Sequence, residues 1–165
     1  MDGKRFYGLV FVIIFFLNIS IAFGFVQSTD QGVAIVFEHL DSNDFPIDLK
    51  INGQGSADLT FAQTRDVLVA RMERWINIST SKVNFTNSTT SLSATGVNDG
   101  NFVLFFNESS SLGSSVIAST TLFVSTITGK VVDSDIEFNG KDFTFNINGV
   151  NSGTNIDLES VATHE

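Results

Sequence analysis

The segment TFAQTRDVLVARMERWI, residues 60–76, decides the fold class. Thr60-x-x-Gln63 is a capping box, in which a hydroxyl and a side-chain amide satisfy the first free N–H groups of a helix. Behind it Phe61, Leu68, Met72, Trp75 and Ile76 follow helical spacing and predict one long amphipathic helix over residues 58–77. Its apolar stripe is expected to bury Trp75 against a central strand. Arg71, Glu73 and Arg74 fall off the stripe and are read as a solvated surface. An all-β sandwich has no natural place for such a helix, so the class expected is α+β.

Working outward from the helix, FPIDLKI at residues 45–51 alternates apolar and polar, the pattern of a half-buried strand, and Pro46 is tolerated at its start. After the helix, residues 83–86 predict a short second strand, and the Ser, Thr, Asn and Gly of residues 87–100 a surface loop. FVLFF at residues 102–106 is continuously apolar, as suits a central strand covered on both faces. Residues 116–128 are β-rich, and Gly129-Lys130 offers the glycine of a type II′ hairpin turn, so residues 131–138 should return antiparallel. On that return strand Asp133, Asp135 and Glu137 share one face. An exposed acidic face is the expectation there, with a calcium ion as the alternative. A further alternating stretch covers residues 143–147.

Composition narrows the function. One domain accounts for 165 residues. Hydrophobic residues at 42% and 17 phenylalanines supply a packed core, which excludes intrinsic disorder over most of the length. Nine Lys and Arg against 18 Asp and Glu give a net charge of -9, so no basic footprint exists for nucleic acid. Without cysteine there is no disulfide framework, no thiolate zinc site and no Cys nucleophile.

Lys4 and Arg5 followed by the apolar residues 6–26 read as a secretory leader, and Ala22-Phe23-Gly24 places small residues where a signal peptidase cuts. Residues 1–24 are therefore expected to be a signal peptide removed after Gly24. An uncleaved anchor is the alternative, since 21 residues just span a bilayer core of about 30 Å. Losing Asp2, Lys4 and Arg5 takes the 9 basic and 18 acidic residues to 7 and 17, a mature charge of -10. A secreted, extracellular protein is expected, monomeric and without stable membrane association after cleavage. Residues 25–44 form a lead-in, and the domain starts at residue 45.

The last twelve residues, TNIDLESVATHE, carry the chemistry. Thr154-x-x-Asp157 can cap a helix whose apolar positions Leu158, Val161 and Ala162 are spaced i, i+3, i+4. A domain rarely commits an amphipathic helix to a core and stops one residue later, so the protein is expected to continue past Glu165.

LESVATHE, residues 158–165, resembles the start of the active-site helix of the matrixin group of metzincin zinc proteases, whose motif runs H-E-x-x-H-x-x-G-x-x-H. Upstream, ERWINI, NFVLFFN, TITGK and SDIEFN occur in the order and spacing of the matrixin half-domain before that helix, so the resemblance covers roughly residues 45–165. It implies a zincin-like twisted mixed sheet of five strands with the long helix and the active-site helix on one side. It also implies a catalytic zinc with His164 as its first ligand and Glu165 as the general base. The substrate would be a protein or peptide, lying along residues 116–124 as an edge strand. The physical reason is that histidines at i and i+4 share a helix face and grip one ion, while Glu at i+1 lies beside it. The other ligands would fall three and nine residues beyond Glu165.

Two features depart from the family. The structural-zinc histidines of animal matrixins are missing, since the remaining histidine, His39, precedes all the strands and is read as a surface residue. No cysteine-switch propeptide can exist, and 20 lead-in residues are too few for a prodomain. The rival reading is a non-catalytic secreted β-rich module of adhesin type, suggested by the abundance of Ser, Thr, Asn and Gly. The two capped helices weigh against it.

Overall fold

The structure, a computed structural model, describes Leu40, residues 42–92 and residues 97–165. The leader read at residues 1–24, His39 and most of the lead-in lie outside the described residues.

The described residues form an α+β unit with two α-helices and a mixed five-stranded sheet. Strand β1 (Ile47–Asn52) leads through helix α1 (Phe61–Ile76) to β2 (Phe85–Thr90), which pairs parallel to β1 from Ile47 opposite Phe85 to Asn52 opposite Thr90. Strands β3 (Val103–Phe106), β4 (Ala118–Val124) and β5 (Val131–Phe138) complete the order β2-β1-β3-β5-β4. All neighbours are parallel except β4, an antiparallel edge strand on β5. A separate two-stranded parallel ladder joins β6 (Thr144–Asn146) to β7 (Asn155–Asp157), and helix α2 (Leu158–His164) follows at once. Neither helix, nor any other among the described residues, is long and apolar enough to cross a membrane.

Local chemistry explains the starts of the elements. The capping box forms as the sequence predicts: the Thr60 side chain accepts from the Gln63 N–H, and the Gln63 Oε1 accepts from the Thr60 N–H at 3.0 Å. Strand β3 is buried at all four positions and lies at the centre of the sheet, as its continuous apolar run requires. On one sheet face Ile51, Leu104, Phe106 and Phe138 join Leu68 and Met72 of α1 and Leu158 of α2 in the core. Phe106 stacks on Phe138 at 4.5 Å between centroids, and Phe145 meets both edge-on, at 5.3 and 6.0 Å.

Several expectations are corrected. Strand β2 runs on to Thr90 where a loop was expected. The polar run TNSTT is tolerated because on this edge strand residues 86–89 are exposed on both faces, and Ser88 donates to Asp48 at 2.7 Å. The hairpin after β4 is not a two-residue type II′ turn. Ser125 N–H donates to Lys130 and Gly129 N–H to Ser125, closing a four-residue loop in which Gly129 is last, at φ 73°. Helix α2 is capped by Asp157, not Thr154, because residues 155–157 are drawn into the β7 ladder. The Asp157 carboxylate then accepts from the Ser160 N–H at 3.0 Å.

Trp75 is 49% exposed and not packed on β3. Its angle on the helix agrees with Leu68 and Met72, but the last turn of α1 overlooks a cavity instead of a packed strand. Arg71, expected in solvent, is 11% exposed and pairs with Glu159 of α2 at 2.6 Å, joining the two helices.

The acidic face of β5 is also not exposed. Asp133 and Asp135 are 0% and 1% accessible. Asp133 accepts from the backbone N–H groups of Asp99 at 2.9 Å, Gly100 at 3.1 Å and Ser134 at 2.7 Å, and Asp135 from that of Val103 at 3.3 Å. Glu137 accepts from Asn107 and Ser110. Asp133 thus anchors the loop that precedes β3 through its backbone donors, Asp135 takes the first N–H of β3, and Glu137 holds the loop that follows through side-chain donors.

Candidate functional site

Between the sheet and the helices lies a cavity of about 330 Å³, walled mainly by apolar side chains from all five strands of the sheet, with Thr120 and Leu122 on β4. Helix α1 contributes Leu68, Arg71, Met72 and Trp75, and the end of α2 contributes Ala162, His164 and Glu165. The two residues singled out in the sequence therefore border the same space.

Their placement follows from α2. Asp157 starts the helix, Leu158 is fully buried as its anchor, and the Arg71–Glu159 pair fixes its outer side to α1. Arg74 adds a longer contact to the same Glu159 oxygen, at 3.5 Å. One turn after Val161 the Glu165 N–H closes the helix on the Val161 carbonyl at 3.1 Å. His164 is exposed on that turn. Glu165 is half-buried and turns its Oε2 to the edge strand, where the Thr120 hydroxyl donates to it at 2.5 Å. This is the short distance of a charge-assisted hydrogen bond.

The arrangement presents one imidazole, one carboxylate held by a hydroxyl, and an apolar cavity beside an edge strand. A zinc site usually draws on three or four protein ligands. Among the described residues no group of three His, Cys, Asp or Glu side chains is placed to hold a metal. His164 could thus be one ligand, and these residues do not complete a zinc site.

The sequence singled out His164 and Glu165, which border the cavity, and did not single out Thr120 or the Arg71–Glu159 pair that the structure brings beside them. The signal for Thr120 was a hydroxyl at an inward strand position, between Ala118 and Leu122. The adjacent Thr121 made the two faces of the strand indistinguishable by composition. Arg71 and Glu159 are 88 positions apart on separate helices, and no local pattern announces their pairing.

Comparison with family models, with curated proteins and with solved structures finds no match for this chain.

Proposed function

We propose that residues 45–165 are the N-terminal part of the catalytic domain of a secreted zinc metalloendopeptidase of matrixin type. The observation that carries the reading is the delivery of His164 and Glu165, by one short helix, to the inner side of the edge strand β4. The five-stranded mixed sheet, with α1 and α2 bound to each other through Arg71 and Glu159, supports it.

In this reading His164 is one zinc ligand, and the others follow Glu165 in the remainder of the motif. When bound, zinc supplies Lewis acidity for water and for the peptide carbonyl. Glu165 is the group that takes the proton from water and returns it to the leaving amine. The open edge of β4 offers backbone donors and acceptors to an extended peptide, which adds as a further strand. The 165-residue chain, in which His164 is the one imidazole among the described residues, should bind zinc weakly and hydrolyse nothing.

Metal analysis and peptide hydrolysis by the protein carried past Glu165 in its own reading frame test this. Glu165→Gln should keep the metal and lose most turnover, and His164→Ala should lose both. Full activity in Glu165→Gln, or no further histidine three residues beyond Glu165, would replace the protease reading with that of a secreted binding module.

A further inference from the structure

The inward face of β4 and its neighbours is largely apolar: Ala118 and Leu122 on β4, Ile136 and Phe138 on β5, Leu104 on β3. Thr120 interrupts it, directly opposite Ile136. Valine has nearly the same shape and a comparable preference for strands, so packing alone does not explain a hydroxyl here. Its partner is the carboxylate of Glu165, 45 residues away, at 2.5 Å. A carboxylate only accepts, so Thr120 is the donor, and the bond fixes Oε2. No other hydrogen bond to the Glu165 side chain occurs among the described residues, which leaves Oε1 for another donor.

We propose that Thr120 is a positioning residue for Glu165, tying one carboxylate oxygen to the sheet so that the other is presented to the water that gives up its proton. The inference rests on the protease reading given above. Glu165 follows the last turn of a seven-residue helix, and its side chain has three rotatable bonds. Left to itself it samples several rotamers, and only some of them point into the site. A hydrogen bond to a central position of a strand removes that freedom before substrate arrives, which is how a neighbouring group preorganises a catalytic one. Serine keeps the donor; valine keeps the volume and removes it.

The test uses Thr120→Val and Thr120→Ser in the protein carried past Glu165. Thr120→Val should lower kcat at least about tenfold, with KM and zinc content within about twofold of the parent, and Thr120→Ser should restore kcat to within about threefold. In the 165-residue chain, nuclear magnetic resonance couplings should report one Glu165 side-chain rotamer in the parent and in Thr120→Ser, and rotamer averaging in Thr120→Val. Parental kcat in a folded Thr120→Val, or equal Glu165 averaging in all three chains, overturns the proposal. If Thr120→Val does not fold, Thr120→Ala is read in its place by the same measures. Glu165→Gln separates the two readings: if it is inert while Thr120→Val is fully active, only the role of Thr120 falls, whereas if it is fully active the protease reading falls with it.

Discussion

Replacing Asp133 by alanine distinguishes a buried anchor from an exposed acidic face. In the structure its two oxygens take three backbone N–H groups, from Asp99, Gly100 and Ser134, with no exposed surface left. A buried donor left without an acceptor costs about 1–3 kcal/mol, and much less where water can take the acceptor's place. Asp99 and Gly100 are exposed residues, so water compensates part of their loss, whereas Ser134 is half-buried in β5. Asp133→Ala should therefore destabilise the domain by about 2–3 kcal/mol. Asp133→Asn keeps one acceptor oxygen but turns an amide donor towards other donors, and should cost about 1–2 kcal/mol. Urea unfolding followed by circular dichroism reads both, with m unchanged from the parent because the surface exposed on unfolding is the same. In a thermal melt the alanine variant should lose roughly 5–10 °C. Glu73→Ala, on the exposed side of α1, is the control and should stay within about 0.5 kcal/mol. Were Asp133→Ala as stable as Glu73→Ala, the carboxylate would be solvated, and the anchoring of residues 97–101 by β5 would be wrong.

Three further outcomes are expected. Trp75→Ala in the 165-residue chain should cost less than about 2 kcal/mol, below the 3–5 kcal/mol of a fully buried tryptophan, because half of the side chain is already in solvent; a larger loss in urea unfolding would place the indole in a packed core. Gly129→Ala should cost about 1–2 kcal/mol, since an L side chain is strained at φ 73°, and Gly129→Asn should recover part of it; an alanine variant as stable as the parent would refute the loop geometry. Exported protein should begin at Phe25 by N-terminal sequencing, and material still starting at Met1 would favour the anchor reading.

The sequence by itself determined the elements whose cause is local. The Thr60–Gln63 box lies within four residues, so the start of α1 was legible, and FVLFF marked the central strand because only a strand covered on both sides takes an unbroken apolar run. His164 and Glu165 were singled out by the resemblance of LESVATHE to a family motif, and the structure adds that both border one cavity. The tertiary structure decided whatever depended on what a residue meets. Asp133, Asp135 and Glu137 had the right face and the wrong environment, because the alternation of a strand fixes direction and not whether loops cover that side. Trp75 had the right helical angle, yet that angle says nothing of whether its last turn faces a strand or a cavity. Thr154 lost the cap to Asp157 because pairing with β6 claimed residues 155–157, a competition between distant backbone groups. The same holds at the candidate site: the sequence offered the carboxylate of Glu165, and only the packing of α2 on α1 and β7 brought it to the Thr120 hydroxyl, 45 residues away in sequence.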